Sequence, residues 1–277
     1  RWWPDFEALE RMDLSGVKIM WTNYPNMPTG AAASEELYAK LVDFGRRHGI
    51  LICNDNPYSF ILNDNPLSIL AQPGAKECCL ELNSLSKAHN MAGWRIGMVA
   101  ADAEVITEII KVKSQMDSGM FKPLQLAAVK ALAQGPEWFE DLNAEYRRRR
   151  VLAGEIFDLI GAEYDHDSSG MFLWGRIGLP VDSIDPRHHS CGAVASPGRG
   201  CENANSGHQS AQSAEQRISI GQQVSDRLLY DAGVFITPGF IFGKNGENYV
   251  RISLCAKPEV LKRAAEKIRN VILNVSL

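Results

Sequence analysis

SLSKAHNMAGWRIG, residues 84–97, sets a lysine directly behind two serines and an arginine between two glycines. It follows one short apolar run, CCLEL (78–82), and leads into another, RIGMVA (95–100), and both read as buried strands. A lysine, small hydroxyls and a guanidinium in a strand-flanked loop suit a site that holds a phosphate and bonds covalently to an aldehyde. The same composition also occurs on a surface helix. The surrounding chain decides between the two.

Upstream, VKIMW (17–21) and ILICN (50–54) repeat the strand pattern, and a helix separates them. Ser34 is placed to cap that helix, Glu35 and Glu36 occupy its first turn, and Leu37, Leu41, Val42 and Phe44 form its inner face. Gly49, after Arg46, Arg47 and His48, stops it. Alternating strands and helices of this kind predict an α/β fold.

Downstream of Asp102 the pattern turns helical. Val105, Ile106, Ile109, Ile110 and Val112 recur at helical spacing, Pro123 opens a second helix ending near Gly135, and Pro136 opens a third running towards Gly161. The RRRR run (147–150) falls inside that third helix and reads as a solvated face with acidic neighbours rather than a nucleic-acid patch. MFLWGR (171–176), VFITP (234–238) and YVRISL (249–254) are strand-like, and Pro258 opens a terminal helix. Residues 187–223 break the pattern: they hold no aromatic side chain, are crowded with Ser, Gly, Ala and Gln, and read as a flexible insert. His188, His189, Cys191, Cys201 and His208 lie in it, but their spacing matches no zinc pattern, so no metal site is expected.

The bulk properties exclude several classes. Of 277 residues, 45% are apolar and 22% charged, as in an ordinary globular protein. With 29 Lys and Arg against 33 Asp and Glu, the net charge of −4 gives no electrostatic reason to expect nucleic acid or an anionic membrane. No apolar run reaches the roughly 18 residues of a membrane span. RWWPDFEALERMD at the start has acids and no long apolar stretch, unlike a secretory signal. Six cysteines, two of them adjacent at 78 and 79, do not read as a disulfide framework, so a reduced, cytoplasmic protein is expected.

Four islands carry chemistry: NYPNMPTG (23–30), NDNPYSF (54–60), the 84–97 stretch and YVRISL (249–254). The first three follow strands, and loops at the carboxyl ends of parallel strands converge on one crevice. There Lys87 can form a Schiff base with a carbonyl, while Ser84, Ser86 and Arg95 hold a phosphate. Asp55 can keep a pyridinium nitrogen protonated, which makes the ring an electron sink. Tyr58 can hydrogen-bond a ring hydroxyl, and Arg251 can grip a carboxylate with two parallel bonds. Taken singly, each residue also has a duller reading, as surface lysine, turn cap or half of an ion pair. Their joint order along the chain favours the site.

That order, NYPNMPTG, then DNPY, then SLSK with GWRIG, then YVRIS, closely resembles the class I/II aminotransferases, the fold type I pyridoxal-phosphate enzymes of the aspartate-aminotransferase superfamily. SGMFLW (169–174) and TPGFIFG (237–243) resemble small-domain segments of the same family. The resemblance covers nearly the whole chain apart from the insert. It implies an α/β fold of the fold type I PLP-transferase kind, with residues 1–135 as the C-terminal part of the large cofactor-binding domain. Residues 136–277 then form an inter-domain helix and a small C-terminal domain. By the same resemblance Lys87 is the Schiff-base lysine, Asp55 the partner of the ring nitrogen and Tyr58 the ring-hydroxyl ligand. Ser84 and Arg95 become phosphate ligands of pyridoxal 5'-phosphate, and Arg251 the carboxylate clamp. The substrates implied are an amino acid and a 2-oxo acid, and the assembly a homodimer. DSGMF (117–121) resembles a family loop that reaches towards the neighbouring active site, so Ser118 either contacts the partner's phosphate or simply caps a helix.

Two departures from the family stand out. Where it usually has an asparagine before Pro-Thr-Gly, bonded to the ring hydroxyl, this chain has Met27, with Asn26 one residue early. Asn26 stays among the cofactor-binding candidates, because a thioether is at best a weak acceptor and cannot donate. Family members also carry a long part before the position matching Arg1, with a glycine-rich loop and helix N-terminus for the phosphate and an aromatic residue on the ring. The chain therefore reads as a C-terminal fragment. Three functions are carried forward: an amino-acid aminotransferase; a carbon–sulfur β-lyase or decarboxylase on the same machinery; and an inactive truncated or regulatory module on the same fold.

Overall fold

The computed structural model describes residues 2–178 and 218–275. Its first sheet contains β1 (Ile19–Asn23), β2 (Leu51–Asp55), β3 (Cys79–Ser84) and β4 (Gly97–Ala101), in that spatial order. β1, β2 and β3 run parallel, with Asn23 opposite Asp55 and Asp55 opposite Leu82. The carboxyl ends of these three strands therefore share one edge, which places three of the four islands there. β4 is antiparallel to β3, pairing Ser84 with Gly97, so the SLSKAHNMAGWRIG loop returns beside the strand it left.

The helix expected over 35–48 is α2 (Glu35–His48), after a short α1 (Phe6–Glu10). Its boundaries follow from local chemistry. The Ser34 Oγ accepts from the Leu37 N–H at 3.1 Å, and Gly49 takes the left-handed conformation at φ 62°. Leu37, Tyr38, Leu41, Val42 and Phe44 are buried against Ile50 and Ile52. Gly45 makes that approach possible, since a Cβ there would meet the Ile50 carbonyl and the Ile52 side chain at 2.9 Å each. The opposite face of the sheet is largely uncovered among the described residues: Trp21 is 67% exposed, and Ile19 and Met98 are exposed with it.

The three expected helices follow as α4 (Ala103–Met116), α5 (Lys122–Leu132) and α6 (Pro136–Leu159), after the single-turn α3 (Leu85–Ala88). The apolar residues of α4 recur at helical spacing, yet no residue of that helix is fully buried. Val105, Ile106 and Ile109 are partly covered, and the helix lies against β4. The second sheet, order β5-β6-β8-β7, is antiparallel throughout and joins β5 (Ala162–Tyr164), β6 (Phe172–Ile177), β7 (Thr237–Pro238) and β8 (Tyr249–Ser253). Its core combines Ile156 and Phe157 of α6, Leu173, Val250 and Leu254, with Val224 and Leu228 of α7 (Ile220–Ala232) and Leu261 and Ile268 of α8 (Pro258–Val275).

Three expectations need correction. The proposed insert was carried to residue 223, but Ser219 caps α7, accepting from the Gln222 N–H, so the helix begins inside that segment. The remainder, including its histidines and cysteines, lies outside the described residues. The strand expected over VFITP contracts to two residues. The N–H of Val234 closes α7 by bonding the Leu228 carbonyl, beside a left-handed Gly233, and so leaves the sheet. RRRR is only half a solvated face. Arg147 and Arg148 meet Asp64 and Glu145. Arg149 reaches the Leu254 carbonyl at 3.1 Å, and Arg150 donates to the carbonyls of His166 and Ser168.

One polar side chain ties α6 to the turn that follows Tyr58. The Asn143 Oδ1 accepts from the Leu62 N–H at 2.8 Å, and its Nδ2 donates to the Phe60 carbonyl at 3.0 Å. Asn143→Leu strands the Leu62 N–H in a buried position. The change should cost about 1–3 kcal/mol, the penalty of one unsatisfied buried group. Denaturant unfolding checks this, with a lower midpoint at unchanged slope expected.

Candidate active site

The loop after β1 is held by its own amides. The Asn23 Nδ2 donates to the Asp55 carbonyl and its Oδ1 accepts from the Met27 N–H, both at 2.7 Å. The Asn26 Oδ1 accepts from the Thr29 hydroxyl at 2.6 Å, while its Nδ2 donates to the Asn23 carbonyl at 3.2 Å. The amide of Asn26 is thus engaged within the loop. Gly30, at φ 73°, passes so close to the second sheet's approach that a Cβ would meet Ser168 Cβ at 2.6 Å, and its carbonyl accepts from the Ser169 N–H.

At the end of β2 the Asp55 side chain is accessible, yet the surrounding protein still desolvates its carboxyl and pushes its pKa above the usual carboxylate range. No described group donates to it. Tyr58, three residues on, is buried with its ring edge-on to Phe172 at 6.0 Å. Burial raises its pKa, the Asp55 charge adds to that, and the Arg251 charge opposes it.

Arg251 projects from β8 into the same region. Its guanidinium carbon lies 4.3 Å from the Phe172 ring centroid and 4.6 Å from that of Phe242. Nη1 donates to the Met27 thioether at 3.4 Å, and Nε is buried with no partner. Burial holds its pKa below the ordinary arginine value. Phe172, Phe242 and Met27 were not anticipated as neighbours of Arg251. The two phenylalanines sit in segments the sequence singled out, but which side chain they enclose depends on how β6, β8 and the loop after Thr237 pack.

The 84–97 stretch forms a second group on the adjoining strand. The Ser84 Oγ caps α3, accepting from the Ser86 N–H at 3.1 Å and donating to the Ile96 carbonyl at 3.4 Å. Lys87 lies in the last turn of α3, and its amine makes no hydrogen bond or ion pair among the described residues. Arg95, left-handed at φ 55°, is exposed and donates to the Ala92 carbonyl at 2.8 Å. Trp138 of α6 anchors the group by donating to the Ala88 carbonyl at 2.8 Å. Tyr58 thus lies within electrostatic reach of both Asp55 and Arg251. Ser84, Lys87 and Arg95 share the neighbouring strand end and are not bonded to them. No cluster of three or more metal-ligating side chains occurs among the described residues.

The carboxyl end of a parallel sheet, bearing Asp55 and followed by the Lys87 loop, is thus approached by Arg251 of a second sheet. Residues 1–268 match the family model described as Aminotransferase class I and II. The chain belongs to that family, whose members are fold type I enzymes that use pyridoxal 5'-phosphate. It is 36% identical over 267 residues to the LL-diaminopimelate aminotransferase of Natranaerobius thermophilus, covering 96% of this chain and 59% of that relative. To the LL-diaminopimelate aminotransferase of Aquifex aeolicus it is 36% identical over 272 residues, 98% of this chain and 60% of that one. Among solved structures, apo-BacF from Bacillus subtilis superposes with a TM-score of 0.78 at 31% identity, over 97% of this chain and 62% of that one. The aromatic aminotransferase of Pyrococcus horikoshii superposes with a TM-score of 0.76 at 25% identity, over 98% of this chain and 64% of that one. The chain therefore spans about 60% of the length of the curated relatives it matches.

Proposed function

We propose that the protein transfers an amino group from an amino acid to a 2-oxo acid, using pyridoxal 5'-phosphate bound through Lys87. The observation that carries this reading is a set of unpartnered polar atoms at the carboxyl end of the first sheet and on the strand of the second sheet that approaches it. The Lys87 amine, the Asp55 carboxylate and the Tyr58 hydroxyl have no partners among the described residues, and the Arg251 Nε is buried without one. Their chemistry matches, in turn, an aldehyde, a protonated ring nitrogen, a ring hydroxyl and a carboxylate, so the residues fit the cofactor. The Ser84 hydroxyl and the Arg95 guanidinium are the phosphate ligands in this reading, and Asn26 joins Tyr58 at the ring hydroxyl only if its loop bonds rearrange.

When bound, the cofactor supplies an electron sink for the charge left as a proton departs from the substrate's Cα. The side chains do the rest. Arg251 binds the substrate carboxylate and fixes which bond at Cα faces the lysine. Lys87 Nζ takes the Cα proton and delivers it to the cofactor's C4′, as general base and then general acid. Asp55 holds the proton on the ring nitrogen, and Tyr58 holds the ring oxygen. In this reading residues 1–135 are the C-terminal part of the large cofactor-binding domain, and residues 136–277 the inter-domain helix and small C-terminal domain. The exposed DSGMF loop, with Ser118, is the segment we assign to contact with a second subunit of a homodimer. Free Cys53, Cys78, Cys79 and Cys255 are consistent with a reducing, cytoplasmic setting.

The relatives' names make LL-diaminopimelate the first amino donor to assay, with 2-oxoglutarate as acceptor. Glutamate formed in step with loss of the donor supports the reading. Pyruvate and a thiol released from a sulfur amino acid, without glutamate, would instead assign the site to β-elimination.

A further inference from the structure

We propose that Met27 positions the Arg251 guanidinium through its thioether and leaves the arginine's charge undiminished for a carboxylate. This rests on the reading of Arg251 as the carboxylate clamp. The backbone of Met27 is itself fixed: its N–H bonds the Asn23 Oδ1 at 2.7 Å, and Asn23 in turn bonds the Asp55 carbonyl. From that fixed point the sulfur meets Nη1 at 3.4 Å. The Phe172 and Phe242 rings lie at 4.3 and 4.6 Å from the guanidinium carbon. The cation is held by two rings and a sulfur, and every one of these contacts is neutral.

That choice of contacts has a chemical consequence. A carboxylate in place of Met27 would orient the guanidinium equally well but would neutralise it and compete with the incoming ligand. A thioether is a weak acceptor, and an aromatic face attracts a cation without removing its charge. The arginine is thus ordered in advance, so less side-chain freedom is lost when a carboxylate binds. Met27 also packs against the core beneath the second sheet, which is the competing, purely structural explanation of its presence.

Two substitutions separate the explanations. Met27→Leu keeps the apolar volume and removes the acceptor. Met27→Gln keeps the length and supplies a carbonyl acceptor. The holoprotein is titrated with succinate, a non-reacting carboxylate, by calorimetry, and kcat, KM and pyridoxal-phosphate affinity are measured alongside. Met27→Leu should weaken succinate binding and raise KM by about 2- to 10-fold, the range of one net hydrogen bond, with kcat unchanged. Cofactor affinity should not move in Met27→Leu, and Met27→Gln should restore succinate binding to near the parent value. If Met27→Leu binds succinate as the parent does, or Met27→Gln is as weak as Met27→Leu, the inference is overturned. Arg251→Lys tests the underlying reading separately: unchanged succinate binding in that variant removes the carboxylate clamp itself, whatever Met27 does.

Discussion

Asp55→Asn should lower turnover of the pyridoxal-phosphate-loaded protein by roughly two to three orders of magnitude, the size of effect seen when one preorganised charge-stabilising group is removed. The same change should raise the thermal stability of the cofactor-free chain at neutral pH. Both effects come from one cause. The Asp55 carboxyl is desolvated and has no described partner, so its folded pKa lies above its unfolded value. Such a group contributes stability below the unfolded pKa, and that contribution is lost as pH rises through the folded pKa. At pH 7 the ionised carboxylate therefore works against folding, and asparagine removes the penalty. The gain over the parent should shrink as pH falls towards 4. Near-parent turnover in the variant would contradict the role given to Asp55. A stability loss at pH 7 would contradict the account of its environment.

The second large effect is expected at Lys87. Lys87→Ala removes both the amine that holds the cofactor and the base that moves the Cα proton. Turnover should fall by about two to four orders of magnitude on the general-base contribution alone. The fold should be indifferent, because the Lys87 amine makes no bond among the described residues. Substitutions without a structural partner stay within about 0.5 kcal/mol. A small added amine such as methylamine should restore part of the lost turnover by supplying the missing base. Turnover close to the parent, or unfolding of the variant, would each contradict the assignment.

How much of this was legible before the structure depends on the range of the interactions involved. The α2 boundaries were legible because Ser34 and Gly49 act on their own neighbours. The strands of the first sheet were legible within about two residues, since a short buried run announces itself. Their shared edge followed from the rule for parallel sheets, and with it the grouping of Asp55 and Ser84. The reversed direction of β4 was not legible, because an apolar run does not carry the sense of its pairing. α7 was hidden by the low-complexity segment before it, and the loss of Val234 from β7 depended on a helix the reading had not drawn. Four consecutive arginines fall on every side of a helix. Which two would turn inwards depended on carbonyls near residues 166–168 and 254–255.

The site divides in the same way. The residue types and their order pointed to Lys87, Asp55, Tyr58 and Arg251, because the chemistry of each is intrinsic to its side chain. The surroundings of Arg251 required tertiary structure: Phe172, Phe242 and Met27 come from three separate parts of the chain. The substitution of Met27 for an amide was visible as an anomaly, but its contact with Arg251 was not.

The central claim is that Lys87 is the residue that holds the cofactor. Its most direct test is borohydride reduction of the pyridoxal-phosphate-loaded protein, followed by proteolysis and identification of the modified lysine. A pyridoxyl label confined to the peptide containing Lys87, and absent from the Lys87→Ala variant, is the predicted result. A stoichiometric label on any other lysine, or full labelling that persists in the variant, would contradict it.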